Sequence, residues 1–116
     1  MRTPAFLILR GSTPVLKMDL PVQPEETDVI YLTFGQGERN VLEYARNGTP
    51  SPAGTGTLRL SETAPNRLEA EMTQADTLRL KAGECVIQVR LRGRDGALTF
   101  CPVVGRVGET LKQNEI

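Results

Sequence analysis

The sequence predicts an all-β protein, an antiparallel β-sandwich of immunoglobulin-like form with about seven to eight strands. Three observations predict it. Apolar and polar residues alternate with the period of a half-buried strand in run after run. Clusters of Gly, Pro, Asn and Asp separate those runs at regular spacing. Only Thr73 to Leu80 breaks the alternation, and a Thr followed three positions later by an acid, Asp76, suits one helical turn with an N-cap.

The strongest signal lies between Glu84 and Val104. Cys85, Ile87, Val89 and Leu91 fall on one face, and Glu84, Gln88, Arg90 and Arg92 on the other. Asp95-Gly96 then supplies hairpin chemistry before a second apolar arm, Ala97 to Val104, extended by Gly105 to Val107. A turn of Asp95-Gly96 sets Arg90 opposite Cys101, and a turn of Gly93 to Gly96 sets Gln88 there. Both registers put Leu91 and Val89 on a face with Leu98 and Phe100. Cys85 then faces the core and Cys101 points away, so the two cysteines stay unpaired.

Taken in order, Ala5, Phe6, Leu7, Ile8 and Leu9 are too uniformly apolar for a water-facing strand. They are expected to pair inside a sheet or against another subunit, and form the candidate interaction strand. After Arg10 to Pro14, the residues Leu16, Met18 and Leu20 alternate with Val15, Lys17 and Asp19 until Pro21 stops the strand. Pro21 to Asp28 is turn chemistry; its acids Glu25, Glu26 and Asp28 lack the Asp-x-Asp-x-Asp-Gly spacing of a calcium loop. Val29 to Phe34 is the most strand-prone run and is expected centrally in a sheet. A turn through Gly35-Gln36-Gly37 leads into Val41 to Ala45. That Gly-x-Gly has neither the third glycine nor the helix of a dinucleotide site.

Residues 46–56 contain no large apolar side chain, which predicts a flexible loop with no fine chemistry. Leu58 and Leu60, then Leu68, Ala70 and Met72, mark two further one-sided strands. Residues 109–116 form a polar C-terminal tail.

The chain's 116 residues suit a single domain, 1–116, large enough to bury a core without metal or disulfide staples. Up to Leu58 there are 5 basic and 6 acidic residues, and beyond it 9 and 8, so neither half carries the charge excess of a nucleic-acid or acidic-membrane binder. No apolar run reaches the roughly 20 residues of a membrane helix. Phe6 to Leu9 makes a poor signal peptide, so synthesis is expected in the cytoplasm. With His 0, imidazole acid–base catalysis and His-metal centres are excluded. No pair of carboxylates is singled out for acid–base work, and no cofactor is implied. Arg90, Arg92 and Arg94 read as a solvated strand face without rings beside them. Tyr31 and Tyr44, on neighbouring strands, are the candidate ligand-stacking aromatics for the rival reading, a ligand- or carbohydrate-binding module.

Two stretches carry a resemblance. Arg10-Gly11-Ser12-Thr13-Pro14, with a strand ending in Leu20-Pro21, and Thr73-Gln74-Ala75-Asp76-Thr77-Leu78, followed by Val86-Ile87-Gln88-Val89-Arg90 and Asp95-Gly96-Ala97, resemble segments of small phage- and prophage-encoded proteins. The layout is also similar to the N-terminal β-sandwich of phage baseplate upper proteins. Residues 46–56 look inserted relative to that pattern, and the stretch before Arg10 is longer. The resemblance implies a non-catalytic virion component of the tail or baseplate, whose partners are copies of itself or other virion proteins. It carries over no catalytic residue.

Overall fold

The computed structural model describes residues 4–116. The strands are β1 (Phe6–Leu9), β2 (Val15–Asp19), β3 (Val29–Gln36), β4 (Arg39–Arg46), β5 (Thr57–Leu60), β6 (Arg67–Glu71), β7 (Gly83–Gly93), β8 (Gly96–Thr99) and β9 (Val103–Gly108), with a short helix, α1 (Gln74–Arg79), between β6 and β7. One sheet runs β1-β9-β7-β3-β4, with β8 on the end of β7, and the other runs β2-β6-β5. The fold is an immunoglobulin-like β-sandwich.

Alternation decides which side chains fill the space between the sheets. Ile30, Leu32 and Phe34 on β3 are wholly buried, as are Leu42 on β4, Leu68 and Ala70 on β6, and Cys85 on β7. Each large apolar side chain removed from water in this way contributes about 1.5–3 kcal/mol. The expected faces hold on β2, β3, β5, β6 and β7, and β3 lies between β4 and β7 as its composition predicted. On β8 they do not, because Leu98, expected on the core face beside Leu91, is 46 % exposed and no residue of that short strand is buried. Phe34 and Tyr44 meet edge to face inside the core, 5.7 Å between centroids.

Two features depart from the expected pattern. The last apolar arm is two strands rather than one. Arg90 pairs with Thr99 on β8, but Ile87 pairs with Val103 on β9, a one-residue shift that leaves Phe100 to Pro102 bulged out of the ladder. Pro102 brings no N–H to that ladder, and Phe100 keeps contact through its N–H to the Val89 carbonyl at 3.1 Å. The hairpin register is the one with Leu91 opposite Leu98; Gly93 pairs with Gly96, so the turn itself is Arg94-Asp95. Gly96 follows it at φ +120°, a conformation open to glycine. Secondly, β1 runs parallel to β9, which makes the larger sheet mixed rather than purely antiparallel.

The thiols face opposite ways, as the register predicted: Cys85 is buried and Cys101 exposed, both free. Burial also pushes the Cys85 thiol up to about 11. Because the thiolate is the reactive form, a thiol reagent at neutral pH is expected to modify Cys101 in the folded protein and Cys85 only after denaturation. Counting modified thiols with and without denaturant checks this; rapid native modification of Cys85 would contradict the burial.

Candidate interaction site

The candidate strand β1 is an edge. It is hydrogen-bonded to β9 on one side, and its other side has no partner strand among the described residues. Ile8 points into the core at 0 % exposure, while Leu7 and Leu9 point outward at 66 % and 51 %. Register extends this outer surface: Leu7 lies beside Arg106 and Leu9 beside Gly108, and Val104 pairs with Val86 on the next strand. Leu9 leans over Gly108, where a Cβ would stand 2.7 Å from its Cδ2. An apolar corner on the larger sheet therefore adjoins a strand edge with free main-chain groups, the combination that invites another chain.

A cleft of about 680 Å³ opens between β2 of the small sheet and the β1, β8 and β9 side of the large one. Phe6, Met18, Phe100 and Val103 line it and pack only partly against the core, and Ile87 and Val89 form its floor. Ala5 and Phe6, the first residues of the candidate strand, contribute to its wall, as does Cys101.

The candidate aromatics are not brought together. Tyr44 stands opposite Leu32 and faces the core, whereas Tyr31 stands opposite Ala45 and faces outward, so no ligand can stack on both. Tyr44 is a structural residue at 2 % exposure, and its hydroxyl donates to Asp76 Oδ2 at 2.5 Å. Burial, and then that hydrogen bond, push its phenol pKa well above the ordinary 10.0. Tyr31 instead lies across from Arg90, which gives the arginine ridge one neighbouring ring that sequence alone did not place. Arg90 spends its Nε–H on the Thr99 hydroxyl at 3.0 Å.

The acidic turn holds itself together rather than presenting a ligand set. Asp28, nearly buried, accepts from the Glu25 N–H at 2.9 Å, and Arg46 and Asn47 donate to the Glu26 and Asp28 carbonyls. Among the described residues no three His, Cys, Asp or Glu side chains are placed to hold a metal.

Sequence reasoning missed a hub at Asp76. This carboxylate, with no exposed surface, accepts from Tyr44, from the Thr55 and Gly56 N–H groups at 2.9 Å, and from the Thr55 hydroxyl at 3.1 Å. The Thr73 cap behaves as its spacing predicted, accepting from the Asp76 N–H. The loop expected to carry no fine chemistry thus supplies the main-chain donors of the most highly bonded buried group described. The two resembling stretches also meet: Gly11 N–H donates to Thr77 Oγ1 at 2.9 Å, Thr77 Oγ1 donates to the Ser12 carbonyl at 2.9 Å, and Arg10 donates to the carbonyls of Leu80 at 2.8 Å and Leu78 at 3.0 Å. Arg10 thereby satisfies carbonyls that the end of α1 leaves without helical partners. Its other nitrogen holds Glu109 at 2.5 Å and also Gln113, which ties down the start of the C-terminal tail.

No family model matches the chain, and no curated protein does. Among solved structures it is similar to CopC from Methylosinus trichosporium OB3b, with 14% identity and a TM-score of 0.51 over 93% of this chain and 89% of that one. It is also similar to the extracellular domain of the voltage-gated sodium channel beta4 subunit, whose structures are parallel homodimers, with 11% identity and a TM-score of 0.44 over 91% of each chain. At such identity the likeness to CopC shows the fold alone.

Proposed function

We propose that this chain is a non-catalytic structural protein that works through protein–protein contacts, with copies of itself among its partners. The observation that carries this reading is β1: a strand edge without a partner among the described residues, bearing Leu7 and Leu9, both more than half exposed, on one apolar corner. Water is a poor solvent for that corner, and burying it against another subunit removes apolar surface and satisfies main-chain groups together. The setting we propose is the tail or baseplate of a phage or prophage, made in the bacterial cytoplasm and carried in the virion. It rests on the Arg10 to Pro14 and Thr73 to Leu78 resemblance. What supports keeping both stretches in one argument is that they bond to each other, so they act as a single structural unit.

Light scattering tests the contact. Wild-type protein is expected to show mass rising with concentration, and the double substitution Leu7→Lys with Leu9→Lys to remain monomeric. Exposed positions tolerate such changes within about 0.5 kcal/mol, so the variant should unfold as wild type does. A wild type that stays monomeric at high concentration sinks the self-assembly reading. Tail-fibre, holin or endolysin genes beside the coding sequence support the phage setting, and a metabolic neighbourhood counts against it.

A further inference from the structure

The cleft has a wall that an apolar pocket does not need. β2 is the edge of the small sheet, and the phase of its ladder can be read from its ends: Met72 N–H donates to the Pro14 carbonyl at 3.0 Å, and Leu20 N–H donates to the Asn66 carbonyl at 2.8 Å. Pro14, Leu16, Met18 and Leu20 therefore direct their main-chain groups at β6, and Lys17 and Asp19 direct theirs at the free edge. Lys17 and Asp19 line the cleft although their side chains face outward. Among the described residues a row of main-chain donors and acceptors without a partner strand thus borders an apolar trough whose other wall is Phe6, Phe100 and Val103.

We propose that this cleft receives an extended segment of a partner polypeptide, added as a further strand on the free edge of β2. The inference rests on the reading that the protein acts through protein contacts, and uses different residues from the β1 corner. The incoming strand bonds to the main chain of Lys17 and Asp19 and turns alternate side chains into the cleft, as in other cases of strand addition. From Lys17 to Pro21 the edge spans roughly 13 Å at about 3.3 Å per residue, room for two inward side chains. The volume, about 680 Å³, falls within the roughly 300–1,000 Å³ of ordinary binding sites. A small apolar molecule would fill the trough but leave the main-chain row bare, which favours a polypeptide.

Charge specifies the partner further. Asp19 is engaged by Arg67 at 2.8 Å, and Glu69, across the ladder from Lys17, is engaged by Arg59 at 3.1 Å. Lys17 is left without an ion pair among the described residues. A strand laid alongside sets an outward residue directly beside that ammonium, and opposite charge is favoured there. The partner segment is therefore apolar at alternate positions and acidic between them.

Fluorescence anisotropy with a short labelled peptide of alternating valine and glutamate tests this, against a peptide of the same composition with the valines grouped. The alternating peptide is expected to bind saturably and the grouped one about tenfold more weakly. Lys17→Pro removes only the N–H at the free edge, where proline is tolerated, so it should weaken binding about tenfold while thermal unfolding is unchanged. Lys17→Glu should lose the glutamate peptide and gain one alternating valine with lysine. The Leu7→Lys, Leu9→Lys protein should bind as wild type does, so loss of self-assembly and loss of peptide binding are read separately. The proposal is overturned if the two peptides bind alike, if Lys17→Pro binds undiminished, or if only a small apolar dye occupies the cleft. Self-association abolished by Lys17→Pro would assign the cleft to a second copy and overturn it too.

Discussion

Replacing Asp76 by alanine should lower the stability of the folded protein by about 2–3 kcal/mol, the upper part of the range for leaving buried donors without an acceptor. The reason is the number of donors left behind. The Tyr44 hydroxyl and the N–H groups of Thr55 and Gly56 all converge on this carboxylate, in a place water does not reach. Asp76→Asn keeps the shape but turns an N–H pair toward groups that are themselves donors, so it too should destabilise. Urea unfolding midpoints at pH 7 provide the measurement, and a loss under about 1 kcal/mol for alanine would mean the network is not formed as described.

The same carboxylate sets a pH dependence with a definite sign. Burial pushes its pKa up, but the bonds from Tyr44, from the Thr55 and Gly56 main chain and from the Thr55 hydroxyl outweigh that and hold it below the ordinary 3.8. A carboxyl with a lower pKa folded than unfolded contributes stability that is full above 3.8 and is lost as pH falls through its folded value. Exposed Asp19 and Glu109, lowered chiefly by hydrogen bonds from Arg67 and Arg10, act in the same direction. The contribution of Asp76 is therefore the difference between wild type and Asp76→Asn, which should shrink as the pH drops below about 4.

Gly56→Ala is expected to cost about 3 kcal/mol, at the upper end for overpacking a filled site. A Cβ there would stand 2.1 Å from the Glu71 carbonyl oxygen and 2.9 Å from the Tyr44 hydroxyl. The carbonyl belongs to β6, whose Glu71 is paired on both sides, with Val15 and with Thr57, so it has nowhere to withdraw. Moving Gly56 instead pulls its N–H from Asp76. Gly37→Ala is the control: it has open space and only the strain of φ +63°, about 1–2 kcal/mol. Equal losses at the two positions, in denaturant unfolding, would show that steric contact at Gly56 is not the cause.

Much of this molecule could be read from residues near one another in the chain. Leu16, Met18 and Leu20, or Cys85 through Leu91, show their inner face by alternation alone, and the thiol orientations follow from the same parity. The Thr73 cap was legible because its partner, the Asp76 N–H, is three residues away. The other bonds of Asp76 were not, because they reach Thr55 and Tyr44 across 21 and 32 positions. Residues 46–56 were judged by the apolar surface they could bury, and that measure misses main-chain N–H groups, which every residue but proline carries. Tyr31 and Tyr44 looked like neighbours because they sit on adjacent strands; the register sets them on opposite faces.

The sequence by itself therefore determined the fold class, the inward face of the strands whose residues alternate and the fate of the two cysteines, since side-chain alternation is a local property of an extended chain. The uniformly apolar β1 and the wholly exposed β8 were not among those strands. Only the tertiary structure decided that β1 lies parallel to β9 at an open edge, that the β8–β9 bulge and the free edge of β2 border one apolar cleft, and that Asp76 joins a loop, a strand and a helix. Those outcomes depend on which distant segments become neighbours, and a periodicity of two carries no record of that.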